Sequence, residues 1–370
     1  MRSGVGCGSR LGWFWCILVP VLSLASGEIW ATEVASSRPA MACVAQAPVV
    51  PRGLSFSAQL RQTADLLRHR NITPTELLPT DVVLKGKHAS ADLVEKLDAA
   101  LIARKLILPD PKGPRQVYNA ALKSGVKAAE RAFGLVPDGM AGPLLFENLN
   151  TSDATLAQNL DAWADDVDQQ VAKARAKGYR FTVLVNVPSF TLHLIDVATG
   201  VQVMESRVVV GKVNHQTPLF QTHIINLKFN PDWTPPPSLV KTGHVYVPAG
   251  PHNPLGLLRF STDNHLSIFL HDTNEHQLFA RTSRSYSSGC IRVQQWKAMA
   301  EWLAQESECR IDKTLSTGKT LYQKIEKTPV IVSYSLVDRV ENGVGIWPDV
   351  YHVGQLAIGA PKSSSPPVSP

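Results

Sequence analysis

Several things are scarce in this 370-residue chain, and each scarcity excludes something. Cysteine occurs five times. Cys7 and Cys16 lie in an apolar leader, so Cys43, Cys290 and Cys309 remain, an odd number that leaves one thiol over even if two pair. A Cys43–Cys309 bridge would leave Cys290 free, but spacing alone does not select that pairing. Long apolar runs are rarer still. Beyond the leader no segment reaches the length of a membrane-spanning helix. His244, His252, His265 and His276 are scattered without ligand spacing, so no zinc site and no other metal or cofactor is expected. No arginine–aromatic stripe accompanies the net charge of +6, which argues against a nucleic-acid partner. That mild basicity suits an anionic polymer or a membrane surface.

The N-terminus, residues 1–27, reads as a secretory signal peptide. Arg2 and Arg10 supply the positive region, Leu11 to Leu24 the apolar core, and Ala25-Ser26-Gly27 the small residues for cleavage. An uncleaved anchor is the alternative. Residues 28–54, rich in Ala, Ser, Pro and Val without periodicity, read as a linker. Over 55–111 the spacing of Leu60, Ala64 and Leu67, then Leu93, Leu97 and Leu101, predicts helices broken near Pro74 and Pro79. A compact helical unit follows over 112–150, with Val117, Ala121, Val126, Ala129 and Phe133 marking helix faces. Gly134 serves as a C-cap, Pro137-Asp138-Gly139 as a turn, and Pro143 as a helix start. A charged connecting helix spans 151–178. Its Asp161, Asp165, Asp166 and Asp168 read as a solvated face, since neither a loop nor a histidine accompanies them. From 179 to 337 the period changes to short β-rich runs such as FTVLVNV, FTLHLIDV and LSIFLHDT, with one helix from Gln294 to Glu306. Residues 338–370 read as a C-terminal tail, Ser/Pro-rich at its end.

Chemistry concentrates in two runs: His271-Asp272-Thr273, then Tyr286-Ser287-Ser288-Gly289-Cys290-Ile291-Arg292. A thiolate is the nucleophile of cysteine chemistry, and it needs a base or a positive field near neutral pH. His271 ends an apolar strand, where side chains emerge at a sheet edge. If it meets Cys290 in space, the pair forms an acyl-transfer site. The competing reading of Cys290 is a buried structural cysteine, and that of His271 a satisfied core histidine.

The residues carry a resemblance. The spacing His271, Ser287-Ser288-Gly289-Cys290, Ile291, Arg292 resembles the YkuD-type L,D-transpeptidase family, and the form with His-Asp-Thr ahead of it is similar to a large Gram-negative subgroup. Val185-Asn186-Val187-Pro188, Thr217-Pro218, Asn230-Pro231-Asp232-Trp233 and Asn253-Pro254-Leu255-Gly256 extend the resemblance. The 112–150 unit resembles a peptidoglycan-binding module of three short helices. The implied fold is α+β: a mostly β, sandwich- or barrel-like catalytic domain with a helix after the cysteine motif, plus a small helical peptidoglycan-binding-like domain. Two departures stand out. Ser288 occupies the place of a second histidine, and the stretch from Trp233 to Phe260 is too short for the subgroup's capping subdomain, so any lid is small.

The resemblance implies roles. Cys290 is the nucleophile and His271 the general acid/base, its ring oriented by a backbone carbonyl, with Asp272 as a third member disfavoured. The Gly289 and Cys290 amides form the oxyanion hole. Arg292, Ser287, Ser288, Trp233 and Tyr246 are candidates for substrate binding, with loop bracing an equal alternative for Arg292 and the two serines. The implied partners are peptidoglycan stem peptides, and other wall-synthesis enzymes, in the periplasm. The expected reaction is a 3→3 crosslink through a cysteine thioester. L,D-carboxypeptidase action, attachment of a protein to the wall, and a non-catalytic wall-binding protein are the alternatives. Papain-like order places cysteine before histidine, and sortases need a longer gap, so neither fits.

Overall fold

The computed structural model describes residues 52–86, 89–235, 240–241, 243–340 and 343–353. The signal segment, almost all of the linker, Cys43 and the Ser/Pro-rich end lie outside the described residues, as does the side chain of Cys309.

Five helices come first: α1 (Phe56–Arg70), α2 (Ala91–Ala103), α3 (Ala120–Ala132), α4 (Pro143–Asn150) and α5 (Asp153–Ala176). Ser55, Ser90, Asn119 and Ser152 cap α1, α2, α3 and α5 by accepting a backbone N–H three residues on. They do not form one bundle. Leu97 and Leu101 of α2, Leu122, Val126 and Ala129 of α3, and Leu145, Phe146 and Leu149 of α4 enclose one small core. By contrast, Phe56, Leu60, Ala64 and Leu67 of α1 pack with Leu156, Leu160, Trp163 and Val167 of α5 against the strands. The aspartates of α5 are engaged rather than merely solvated. Arg61 pairs with Asp165 and Asp168, each at 2.7 Å, and Arg68 pairs with Asp161.

The strands are β1 (Phe181–Asn186), β2 (Thr191–Asp196), β3 (Gln202–Gly211), β4 (Gln221–Phe229), β5 (Leu258–Thr262), β6 (Leu270–His271), β7 (Ser285–Ser287), β8 (Ile291–Val293), β9 (Leu321–Ser333), β10 (Val337–Val340) and β11 (Gly343–Ile346). The order β2-β1-β9-β4-β5-β6-β8-β3, with β3 pairing back onto β2, closes an eight-stranded barrel; β7 adds to β3 in parallel. Inward residues Val183, Val185, Leu192, Leu194, Val208, Val210, Phe229, Phe260, Leu270, Ile291 and Val293 fill it. Leu184, Ile195 and Ile331 point outward but are covered by α1 and α5. That double burial is why these strands read as near-continuous apolar runs. Helices α6 (Trp296–Ala304) and α7 (Glu308–Leu315) follow β8; Trp296, Met299, Leu303 and Ile311 join the barrel core.

Residues 337–340 and 343–353 form ordered structure. The β10–β11 hairpin wedges between the helical core and the barrel. Asn148 of α4 bonds Ile346 in both directions, at 2.7 and 3.0 Å. A Cβ on Gly134 would meet Val340 Cγ1 at 2.6 Å. The C-cap glycine thus also permits close docking of the hairpin.

Candidate active site

Three neighbouring strands build the site by register. Arg259 of β5 pairs with His271 of β6, and His271 pairs with Arg292 of β8. Their neighbours Leu258, Phe260, Leu270, Ile291 and Val293 fill the barrel. Strand alternation therefore puts Arg259, His271 and Arg292 in a row on the outer face. Cys290 sits just before β8, two residues ahead of Arg292, so it shares that face diagonally from His271.

His271 is 4% exposed, and its Nδ1 bonds the backbone oxygen of Asp272. A carbonyl only accepts, so Nδ1 carries the proton and Nε2 keeps its lone pair. Burial drives the pKa down to about 3; the Asp272 oxygen opposes this, and Arg292 and Arg259 add to it. The imidazole is neutral near pH 7, the state a base requires. The Asp272 carboxylate does not touch the ring. It accepts the Leu257 N–H at 2.8 Å and fits against Gly256, where a Cβ would meet Asp272 Oδ2 at 2.3 Å. Asp272 thus orients the ring through its carbonyl and anchors the preceding loop through its side chain.

Cys290 is half-buried, and desolvation raises its thiol pKa; the Phe269 backbone, Arg259 and Arg292 pull the other way without prevailing. Its Sγ donates to Ser267 O at 3.7 Å, and Ser267 holds an uncommon positive φ of 57°. The resting site is thus a neutral thiol on the same face as a neutral imidazole. Gly289 has φ +111°, and a Cβ there would meet Ile268 Cδ1 at 3.0 Å, so the turn before the thiol requires glycine. The two expected oxyanion amides differ. The Gly289 N–H already donates to Ser287 Oγ at 3.2 Å. The Cys290 N–H has no partner among the described residues, which leaves it available.

The other expected site residues divide. Ser287 is buried and braces the loop, donating to Cys290 O at 2.5 Å. Ser288 is exposed. Arg292 donates to Glu275 Oε2 at 2.5 Å, a bracing contact. Trp233 and Tyr246 lie on the short connection before β5, closed by paired backbone bonds between Trp233 and Val247 at 2.8 and 2.9 Å. Trp233 packs edge-on to His244, while Tyr246 is exposed. No hydrogen bond or ring contact joins either residue to Cys290 or His271 among the described residues. Asn253, fully buried, ties this connection by donating to Pro231 O, Val247 O and Pro248 O. Among the described residues no group of three His, Cys, Asp or Glu side chains could hold a metal ion.

Sequence reasoning missed three positions. Arg259 fell within the connection from Trp233 to Phe260; only its pairing with His271 places it here. Thr217 Oγ1 donates to Gly289 O at 2.8 Å and accepts the Gly211 N–H at 2.9 Å. Tyr351 OH donates to Gly211 O at 2.7 Å and accepts the Thr217 N–H at 3.1 Å. A residue from the presumed tail therefore braces the cysteine loop.

Residues 180–332 match the YkuD family, the L,D-transpeptidase catalytic domain. The barrel is a YkuD-type domain, and a small α-helical domain precedes it. A Haemophilus influenzae protein provisionally named an L,D-transpeptidase is 27% identical over 215 residues, covering 46% of this chain and 44% of that protein. The match thus spans under half of that relative's length. Among solved structures, L,D-transpeptidase 3 from Mycobacterium tuberculosis shares 10% identity, covering 42% of this chain and 61% of that one, with a TM-score of 0.28. An Enterococcus faecium L,D-transpeptidase variant shares 14%, covering 42% and 50%, with a TM-score of 0.25. Superpositions this loose say nothing about the site of the YkuD-type domain.

Proposed function

We propose that the protein is a periplasmic L,D-transpeptidase that joins two peptidoglycan stem peptides by a 3→3 crosslink. The observation that carries this reading is the tautomer of His271, set by the Asp272 carbonyl on the face that Cys290 shares. As Cys290 Sγ attacks the carbonyl of the third stem residue, His271 Nε2 takes the thiol proton. The Cys290 N–H faces the developing oxyanion. Collapse breaks the amide bond, and the terminal D-residue leaves as an amine with the proton returned by His271. The acceptor amine of a second stem then attacks the thioester. His271 takes its proton, a new amide forms and the thiol is regenerated. The amide bond energy is conserved through the thioester, so no nucleotide is needed.

The neutral resting pair gives this mechanism a signature. Proton transfer accompanies attack, so alkylation of Cys290 by iodoacetamide should keep rising above pH 9 rather than level off near pH 6. The deciding experiment is intact-mass spectrometry with a disaccharide tetrapeptide. Wild type should gain the acyl mass and release D-alanine, Cys290→Ala should do neither, and diaminopimelate–diaminopimelate dimers should follow only with wild type. Acyl-enzyme without dimers would favour the carboxypeptidase or protein-attachment reactions instead. The absence of any acyl mass would revive the non-catalytic wall-binding reading.

A further inference from the structure

Beside the nucleophile lies a guanidinium with no counter-ion among the described residues. Arg259 shares the outer face with His271, and its charge acts on Cys290. Its Cζ lies over the Phe269 ring, 4.5 Å from the centroid. Among the described residues it makes one hydrogen bond, from Nη2 to Ser261 Oγ at 3.2 Å, and its Nε is buried with no partner. No carboxylate lies within ion-pair distance of it among the described residues. Asp232, whose charge reaches it, is held by Lys228 Nζ. Its counterpart across the row, Arg292, is by contrast engaged by Glu275 at 2.5 Å. Desolvating a cation and leaving donors unused is costly unless something completes the set. A carboxylate fits the guanidinium fork, offering two acceptors to parallel N–H donors.

We propose that Arg259 recognises a carboxylate of the acyl donor and so positions the scissile carbonyl over Cys290. This rests on the acyl-transfer reading above. Two carboxylates near the scissile bond supply the same chemistry: the α-carboxylate of the departing terminal D-residue, and the free carboxylate of the diamino acid at position three. The phenyl ring beneath restrains the guanidinium next to the site.

The test measures binding without turnover. On Cys290→Ala, calorimetry compares the free tetrapeptide with two forms, one amidated at its terminus and one at the diamino acid. Amidation of the carboxylate that Arg259 binds should weaken binding roughly tenfold or more, and the form that suffers identifies the source. In Cys290→Ala/Arg259→Gln the free acid and both amides should bind alike. Arg259→Lys keeps the charge without the fork and should keep part of the discrimination, which preserves the test should the glutamine variant fold poorly. The proposal is overturned if neither amide binds more weakly than the free acid, or if Arg259→Gln discriminates as the parent does. The intact-mass experiment stands apart. Arg259-dependent discrimination without an acyl adduct in wild type would sink the transpeptidase reading and leave carboxylate recognition standing.

Discussion

The barrel holds two buried histidines on its strands, and their pKa values are shifted in opposite directions. His271 meets a backbone oxygen and is bracketed in register by Arg259 and Arg292; burial prevails and the ring is neutral. His193 on β2 is fully buried too, but its Nε2 faces Asp338 Oδ2 at 3.5 Å, and Nδ1 meets Gln202 Oε1 at 2.9 Å. There burial is again the largest influence, yet Asp338 with Glu205 and Gln202 outweighs it and the pKa is raised. At 3.5 Å the Asp338 contact is an ion pair rather than a hydrogen bond. Ser189 and Asn186 donate to Asp338 at 2.8 and 3.0 Å, and the Phe56 ring stacks on His193 at 4.4 Å. One histidine is thus pushed towards its neutral form, and the other towards its charged form at a junction of β1, β2, α1 and β10. Burial alone assigns neither role; the partner does.

The comparison breaks most visibly at His271. Replacing it by glutamine should lower acyl-enzyme formation about 100- to 10,000-fold, measured by stopped-flow intact mass, while the fold stays. A loss below tenfold would mean that another group takes the proton. At the second histidine the loss should be of stability. Asp338→Ala strands a buried cation, and denaturant unfolding should show about 3–5 kcal/mol lost. A change under 1 kcal/mol would show that His193 is not held charged.

A smaller effect lies in pH dependence. Folding depresses the His271 pKa to about 3, below its ordinary value near 6.5. As pH falls from about 6.5, the unfolded chain takes up a proton that the folded site refuses, so stability falls by ~1.4 kcal/mol per pH unit from this group. His193 runs the other way: its contribution is complete below the ordinary histidine range and is lost as pH rises through its elevated folded value. Unfolding midpoints between pH 7 and 4.5 should therefore fall less steeply in His271→Gln than in wild type; parallel slopes would refute a neutral His271. Smallest of all, Ser288→Ala should leave turnover within about twofold, as for an ordinary surface position. A collapse there would show that His271 does not act as the sole base.

Much of the site was legible. The order His271, then Ser287 to Arg292, named the two residues proposed to react, because the proposed chemistry needs those side chains in one local run and at one strand end. The β character of 181–211 and the turn at Pro137-Asp138-Gly139 were legible through period and proline–glycine geometry. Arg259 was not, because pairing with His271 is a register fact between two strands. The reach of Tyr351 was hidden by a polar, proline-bearing end that resembles a tail. The split of the early helices was hidden as well, since α1 and α2 carry the same helical spacing but face different cores.

By itself, then, the sequence determined a candidate thiol, a histidine upstream of it and the local conformation of the glycine turn between them, since each follows from residue type and short-range spacing. Only the tertiary structure decided which groups surround them. It placed the carbonyl of Asp272 on one nitrogen of His271, two arginines alongside, and the Tyr351–Thr217 brace behind Gly289. The physical reason is that charge state in a buried site depends on partners within a few ångströms, and the fold draws those partners from β5, β8 and the C-terminal segment.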